Sequence, residues 1–320
     1  MKVHRRATVI VVLFVVALDV PAVGSSAGGA LAVAACEPAY VHGVGEVCRA
    51  PSGLYAVTLS DGTVIETHGP DVRTAALADH GTVIDSSDPA RDPVCAGDYY
   101  QHVLYGRPAD VPARTDPGGE IRGIVRRMNA VLNETSLASG GPTADYKVAC
   151  SAGQIKVDAF VAEEGSIDFD QIVDAARAAG FDASNADYTI FYEVSHPTYC
   201  GVGSFWIDDR PSEQNANNSG GDYGITYDGC WFGRTPMHEN GHNQGAVQPT
   251  APFSDLTGHC LKGRDVMCYT SNLLTVFCPE VIQFDCEFNT YFDSAPEPGE
   301  WLANHWNIGS RVNRFIAFGT

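Results

Sequence analysis

Ten cysteines occur in the 320-residue sequence, yet no two stand in CxxC spacing. That absence excludes a cysteine-rich zinc ribbon and a thioredoxin-type redox site. No GxSxG elbow is present, so a serine hydrolase of the α/β type has no foothold. Neither a P-loop nor a complete GxGxxG offers a cradle for nucleotide phosphates. EF-hand loops and glycine–aspartate calcium repeats are missing as well. Basic residues are scarce: 20 Lys and Arg against 39 Asp and Glu give a formal charge of −19. Such a chain repels nucleic-acid phosphates and anionic lipid, so neither is an expected partner. The acidic residues are scattered, which reads as a solubilising surface.

Long apolar runs are equally rare. Lys2, His4, Arg5 and Arg6 precede an apolar stretch from Ala7 to Leu18, followed by small residues through Ala35. This is the layout of a secretory signal peptide, and the stretch is too short to span a bilayer comfortably. Residues 1–35 are therefore expected to be a signal segment, with cleavage after Ala27, Ala30 or Ala35. The mature protein is expected to be secreted and extracellular, without stable membrane insertion, and a monomer. Val33 to Cys36 loosely resembles a lipoprotein cleavage box. The Gly, Ser and Ala residues before it, and a natural partner for Cys36 in Cys48, weigh against a lipid anchor.

All ten cysteines lie beyond the signal segment, an even number in a chain read as exported, so disulfides are expected. Proximity pairs Cys36 with Cys48, Cys95 with Cys150, Cys200 with Cys230, Cys260 with Cys268, and Cys278 with Cys286.

Residues 36–93 read as a small β-rich module or a propeptide, with alternation in LYAVTLSDGTVIETHG and a turn at Asp61 and Gly62. Pro and Asp thicken between Ser86 and Pro93, suggesting a boundary. From Gln101 the strand QHVLYG leads to Gly119–Leu137, where Ile121, Ile124, Val125, Met128, Val131 and Leu132 recur at helical spacing. YKVAC and IKVDAFVA read as strands, Phe169 to Ala179 as a second helix, and DYTIFYEV as a buried strand. This βαββαβ order predicts an α+β domain over 94–320, a mixed twisted sheet with packed helices.

The segment His238 to Gln248 reads HENGHNQGAVQ. On a helix, His238 and His242 lie on one face, so both can point a ring nitrogen at one zinc ion. Glu239 then stands beside a water whose acidity the zinc raises, placed to act as general base. Asn240 and Gly241 are poor helix formers, so this helix must gain its stability from packing.

Extended to Gly245, HENGHNQG matches the first eight positions of the metzincin pattern HExxHxxGxxH, and DVMCY downstream looks like the metzincin Met-turn around Met267. The stretch from Tyr199 to Asn307 resembles a group of secreted actinobacterial zinc-metallopeptidase-like proteins. YCGVGSFW, HENGHNQGAVQPTAP, GHCLKGRDVMCY and YFDSAPEPGEWLANHWN carry that resemblance. It implies a metzincin-like catalytic domain that includes the HENGH helix, bound Zn2+, and hydrolysis of a protein or peptide substrate.

Gln248 stands where metzincins place His or Asp, and a neutral amide oxygen is a weaker zinc ligand. His259 is the leading third ligand and Gln248 the alternative, with Asp255, Asp265 or no third ligand behind them. A disulfide from Cys260 to Cys268 would hold His259 near Met267. Tyr269 is a candidate hydrogen-bond donor to the tetrahedral intermediate, or a packing residue. His196 and His305 have no zinc spacing to the main pair, and His305 reads as packed or capping. The leading function is a secreted zinc endopeptidase; the alternative is a non-catalytic extracellular binding protein on a peptidase scaffold.

Overall fold

A computed structural model describes residues 38–72, 89–231, 234–261, 265–268 and 283–319. The expected signal segment, Cys36, Cys278 and Tyr269 lie outside these residues. The strands are β1 Ala39–Val41, β2 Gly45–Arg49, β3 Tyr55–Thr58, β4 Val64–Val72, β5 Val94–Cys95, β6 Tyr100–Pro108 and β7 Ala144–Val148. They continue with β8 Cys150–Ser151, β9 Gln154–Ile155, β10 Val157–Ala162, β11 Ala186–Tyr192, β12 Tyr199–Ser204, β13 Tyr223–Tyr227 and β14 Ile316–Phe318. Among the described residues the α-helices are α1 Pro117–Ala138, α2 Phe169–Ala178 and α3 Thr235–Asn243. None of these helices is long and apolar enough to cross a membrane.

Twelve of these strands make one mixed sheet, in the order β1-β2-β3-β4-β12-β13-β11-β6-β7-β14, with β10 also on β6 and β5 on β7. β11 is parallel to both β6 and β13, whereas β12 is antiparallel to β13 and to β4. Every residue of β11 is buried, as expected of a strand covered on both faces. Period-two alternation divides its side chains between two cores. Phe191 joins the α1 residues Ile121, Ile124, Val125, Met128 and Leu132 on one face. Tyr188, Ile190 and Tyr192 join the α2 residues Phe169, Ile172 and Val173 on the other.

The mixed sheet with packed helices, expected from the pattern, is thus present, with the HENGH segment forming α3. Helix α1 starts one turn after the polar loop because Asp116 caps it, its carboxylate accepting from Gly119 N at 3.1 Å, with Pro117 at the first helical position. Strands β1 to β4 belong to the same sheet as the remainder, joined through β4 on β12. They also dock on α2: Asp168 accepts from Gly43 N at 2.9 Å and from the Tyr40 hydroxyl, and Ser60 N donates to Asp174 at 3.1 Å. Val44, Val47, Val57, Leu59 and Ile65 share the α2 core.

Disulfides join Cys95 to Cys150, Cys200 to Cys230, and Cys260 to Cys268, as expected. Cys48 and Cys286 are also disulfide-bonded. The partners expected for them lie outside the described residues.

Asp187, at the start of β11, is buried against Asp222, just before β13. Burial, and for Asp187 the neighbouring carboxyl, pushes both upward, Asp222 to about 7. The folded chain therefore keeps protons that an unfolded chain releases above about pH 4. Their stabilising contribution is full below that pH and is lost as pH rises through 7. Asp187→Asn, which removes the need to bury charge, should raise the thermal midpoint at pH 8 by on the order of a few degrees more than at pH 5. Equal shifts at both pH values would refute this assignment.

Candidate metal centre

All nine residues of α3 are buried. The helix can lie this close to the sheet because three facing positions are glycine. A Cβ on Gly201 of β12 would sit 2.1 Å from Glu239 Oε1, and one on Gly203 would sit 2.8 Å from His242 Cβ. A Cβ on Gly224 of β13 would approach the Glu239 carbonyl to 3.0 Å. The poor helix formers within HENGH have specific neighbours. Asn240 donates to Thr189 Oγ1 at 3.2 Å and accepts from Gln244 Nε2 at 2.6 Å. Gly241 clears room for Met267, whose Sδ would lie 2.6 Å from an added Cβ. The close approach at Gly241 is to the methionine, while Gly201, Gly203 and Gly224 serve the sheet side.

The helix ends in a Schellman motif. Gly245, with φ +75°, donates to His242 O at 2.8 Å, and Ala246 N reaches Gly241 O at 2.9 Å. Trp306 Nε1 donates to Gln244 O at 2.7 Å, tying the C-terminal segment to the same end.

The one-face geometry expected of His238 and His242 is present: their Nε2 atoms lie 3.0 Å apart. His238 Nδ1 is 2.7 Å from Val266 O, which fixes its ring and directs Nε2 inward. His259 joins this pair, its ring stacked on that of His238 at 5.2 Å between centroids. Asp255 lies behind it, with Oδ2 3.5 Å from His259 Nδ1 and Oδ1 accepting from Thr257 N at 2.7 Å and His259 N at 3.1 Å. Asp255 therefore orients His259. The chain brings His259 and Met267 together as the Cys260–Cys268 bridge requires, and Cys260 N donates to Met267 O at 3.1 Å.

Gln248 is elsewhere. Its Oε1 accepts from Asp208 N at 2.9 Å, and its Nε2 donates to Trp206 O at 3.0 Å and Gly245 O at 3.1 Å. Both ends of the amide are committed to the loop after β12, so the side chain braces the helix exit. Asp265 accepts from Cys286 N at 2.9 Å, away from the imidazoles. Although Cys260, Asp265 and Cys268 lie close together, the two sulfurs bond each other and offer no thiolate. His196 stacks on Tyr199 and His305 on Trp301, both outside the cluster.

Two further members come from β4. The carboxylate of Asp71 stands at the focus of the imidazoles, 2.9 Å from His238 Nε2, 3.0 Å from His259 Nε2 and 3.9 Å from His242 Nε2. His68 stacks on His242 with 3.7 Å between ring centroids. Donor atoms of His68, Asp71, His242 and His259 all lie within 4.8 Å of one another, as do those of Asp71, His238 and Glu239. Strand alternation would put His68 and Asp71 on opposite faces. A register shift between Pro70 and Thr67 of β4 breaks that alternation, and Gly69 takes the positive φ of +108° found there.

Burial shapes the charges. It pushes His242 well below and His68 down to about 3, with neighbouring imidazoles adding to the effect. Both rings are thus neutral and present lone pairs, the form a metal requires. Burial pushes His259 down too, but the Asp71 and Asp255 carboxylates more than reverse this, raising it to about 9. Burial opposes ionisation of Asp71, which the surrounding imidazoles nonetheless hold well below the usual carboxylate range. Glu239 is pushed well above its usual range by burial and by Asp71. A buried cluster of imidazoles and carboxylates with converging donor atoms could hold a metal ion.

Gly241→Ala tests the packing beneath the helix. Helix propensity alone would favour Ala by about 1 kcal/mol. The contact with Met267 should reverse the sign, giving net destabilisation of about 1–3 kcal/mol in chemical denaturation. A more stable variant would show that Met267 yields freely. No protein-family model and no curated protein matches the chain.

Proposed function

We propose that the chain is a secreted zinc-dependent endopeptidase of metzincin type. The observation that carries this reading is the convergence of three imidazoles with Glu239 directly beside them. His238, His242 and His259 would hold the ion. When bound, zinc would acidify a water and polarise the scissile carbonyl. Glu239 takes the proton from the attacking water and delivers it to the departing amine nitrogen. Burial and the Asp71 carboxylate raise its proton affinity, which suits the delivery step. Val266 O and Asp255 keep two imidazoles in register, and Met267 forms an apolar floor under the helix through the gap at Gly241. Tyr269, outside the described residues, stays a candidate donor to the tetrahedral intermediate.

A second reading is a non-catalytic binding protein that keeps the metal as a structural centre. It draws on one observation: Glu239 is 0% exposed. Because Asp71 lies at the focus of the imidazoles, the deciding comparison uses the native chain and an Asp71→Ala chain. Glu239→Ala is made in each background, and zinc content and cleavage of an unfolded protein are measured. The peptidase reading expects Glu239→Ala to lower cleavage by roughly 10²-fold or more with zinc retained. Zinc retained with no Glu239-dependent cleavage in either background would leave the binding-protein reading.

Zinc binding should also depend on pH in a defined direction. The ligand form of His259 is neutral, and its proton is held up to about pH 9. Uptake near pH 7 should release protons, and the apparent affinity should rise from pH 6 to pH 8. Calorimetry in buffers of different ionisation enthalpy reads the proton count; an affinity that does not change with pH would remove His259 from the ligand set.

A further inference from the structure

A cavity of about 470 Å³ opens between the loop that follows α3 and the C-terminal segment. We propose that it is the subsite for a lysine or arginine side chain of the polypeptide substrate. The inference rests on the peptidase reading and adds the substrate class of that site.

The walls are the first observation. Phe253, Phe288, Trp301 and Leu302 line the cavity together with Asp293 and Glu300. Phe253 and Phe288 hold positive φ values of +62° and +55°, a conformation that bulky side chains rarely adopt and that the surrounding structure must offset. Both of these strained residues line the same cavity. The Trp301 indole is fixed by His305, whose ring stacks on it at 4.2 Å between centroids and is itself held by Asp209.

The buried carboxylate is the second. Asp293 is only 5% exposed, and its Oδ1 accepts from Ala295 N at 2.8 Å. Its backbone is clamped by Asn307, which accepts from Asp293 N at 3.1 Å and donates to Asp293 O at 2.7 Å. Burial pushes this carboxyl upward, and the Glu300 and Asp285 carboxylates add to the effect. No Lys, Arg or His is among the described residues that line the cavity. Apolar walls with an anion held among them suit an amphipathic cation, its methylene stem against the rings and its charged head on Asp293. A neutral apolar side chain would leave Asp293 desolvated with no counter-charge. The formal charge of −19 also draws a cationic segment toward the molecule.

The third observation is what the walls are attached to. Phe253 O accepts from Leu261 N at 2.8 Å, and Asp255 N donates to His259 O at 2.8 Å. One hairpin therefore carries the wall residue Phe253, the orienting Asp255 and the imidazole of His259. On the opposite wall, Trp301 shortly precedes Trp306, whose indole is bonded to Gln244 O at the end of α3. Both walls are thus tied to the elements that carry the imidazoles, and a side chain seated between them would hold its own backbone beside the metal centre.

The test titrates the full chain with Nα-acetyl-lysine methylamide, Nα-acetyl-arginine methylamide and the uncharged Nα-acetyl-norleucine methylamide, with dissociation constants read by ligand-observed NMR. The two basic probes should bind about tenfold or more tighter than norleucine. Asp293→Asn, which keeps an acceptor for Ala295 N, should abolish that difference. Phe288→Gly, for which a φ of +55° carries no strain, should weaken all three probes. Cleavage sites in an unfolded protein are then mapped with the native and Asp71→Ala chains. Cuts should fall beside Lys and Arg, and Asp293→Asn should remove that preference. Equal binding of basic and norleucine probes overturns the subsite, as does a basic preference that survives Asp293→Asn. Glu239-dependent cleavage indifferent to Lys and Arg overturns it too and leaves the peptidase reading standing. Asp293-dependent binding of the basic probes without Glu239-dependent cleavage supports the cavity as a site for a basic side chain and overturns the peptidase reading.

Discussion

The close approach of helix α3 to the sheet is the constraint on which the rest depends. A helix of HENGH composition has little intrinsic stability, because Asn and Gly are poor helix formers. It persists because it is buried along its whole length, and it can be buried only where β12 and β13 present glycine. Had Gly201, Gly203 or Gly224 carried a side chain, the helix would stand off and Glu239 and His242 would move with it. The position of the chemical groups is thus set by atoms that are missing from the sheet. On the remaining side, Met267 fills the gap at Gly241, so the helix is gripped between a backbone surface and a thioether.

Gripping the helix also removes its polar residues from water. Ionised groups buried without partners are costly. The cluster answers this by placing an anion among imidazoles, and by keeping His68 and His242 neutral. That arrangement is electrostatically consistent by itself, and it is also what a cation would exploit. Second-layer groups complete it. Val266 O and Asp255 each fix one ring nitrogen, so the orientation of His238 and His259 does not depend on the ion.

Much of this was legible in the sequence, for reasons that differ from residue to residue. His238, Glu239 and His242 are close because helical geometry alone brings i and i+4 together. The six elements β6, α1, β7, β10, α2 and β11 were readable because apolar repeats record burial directly. His259 was reachable through one covalent constraint, the short Cys260–Cys268 span. Asp71 and His68 carried no such signal. They lie more than 160 residues before His238, on a strand whose period is broken at Gly69, and only sheet pairing brings them to the site. Gln248 shows the converse: its sequence position suggested a ligand, but neighbouring backbone groups of Asp208, Trp206 and Gly245 claim both ends of its amide.

The Cys260–Cys268 bridge has a consequence for how the molecule is made. Two donors of the candidate centre arrive together on a single helix. The third rides on a loop that the disulfide closes, and closing a loop removes much of the freedom an open chain would have to give up. Completion of the donor set is therefore an oxidation event as well as a folding event. Assembly of the centre is coupled to the redox state of the surroundings in which the chain matures.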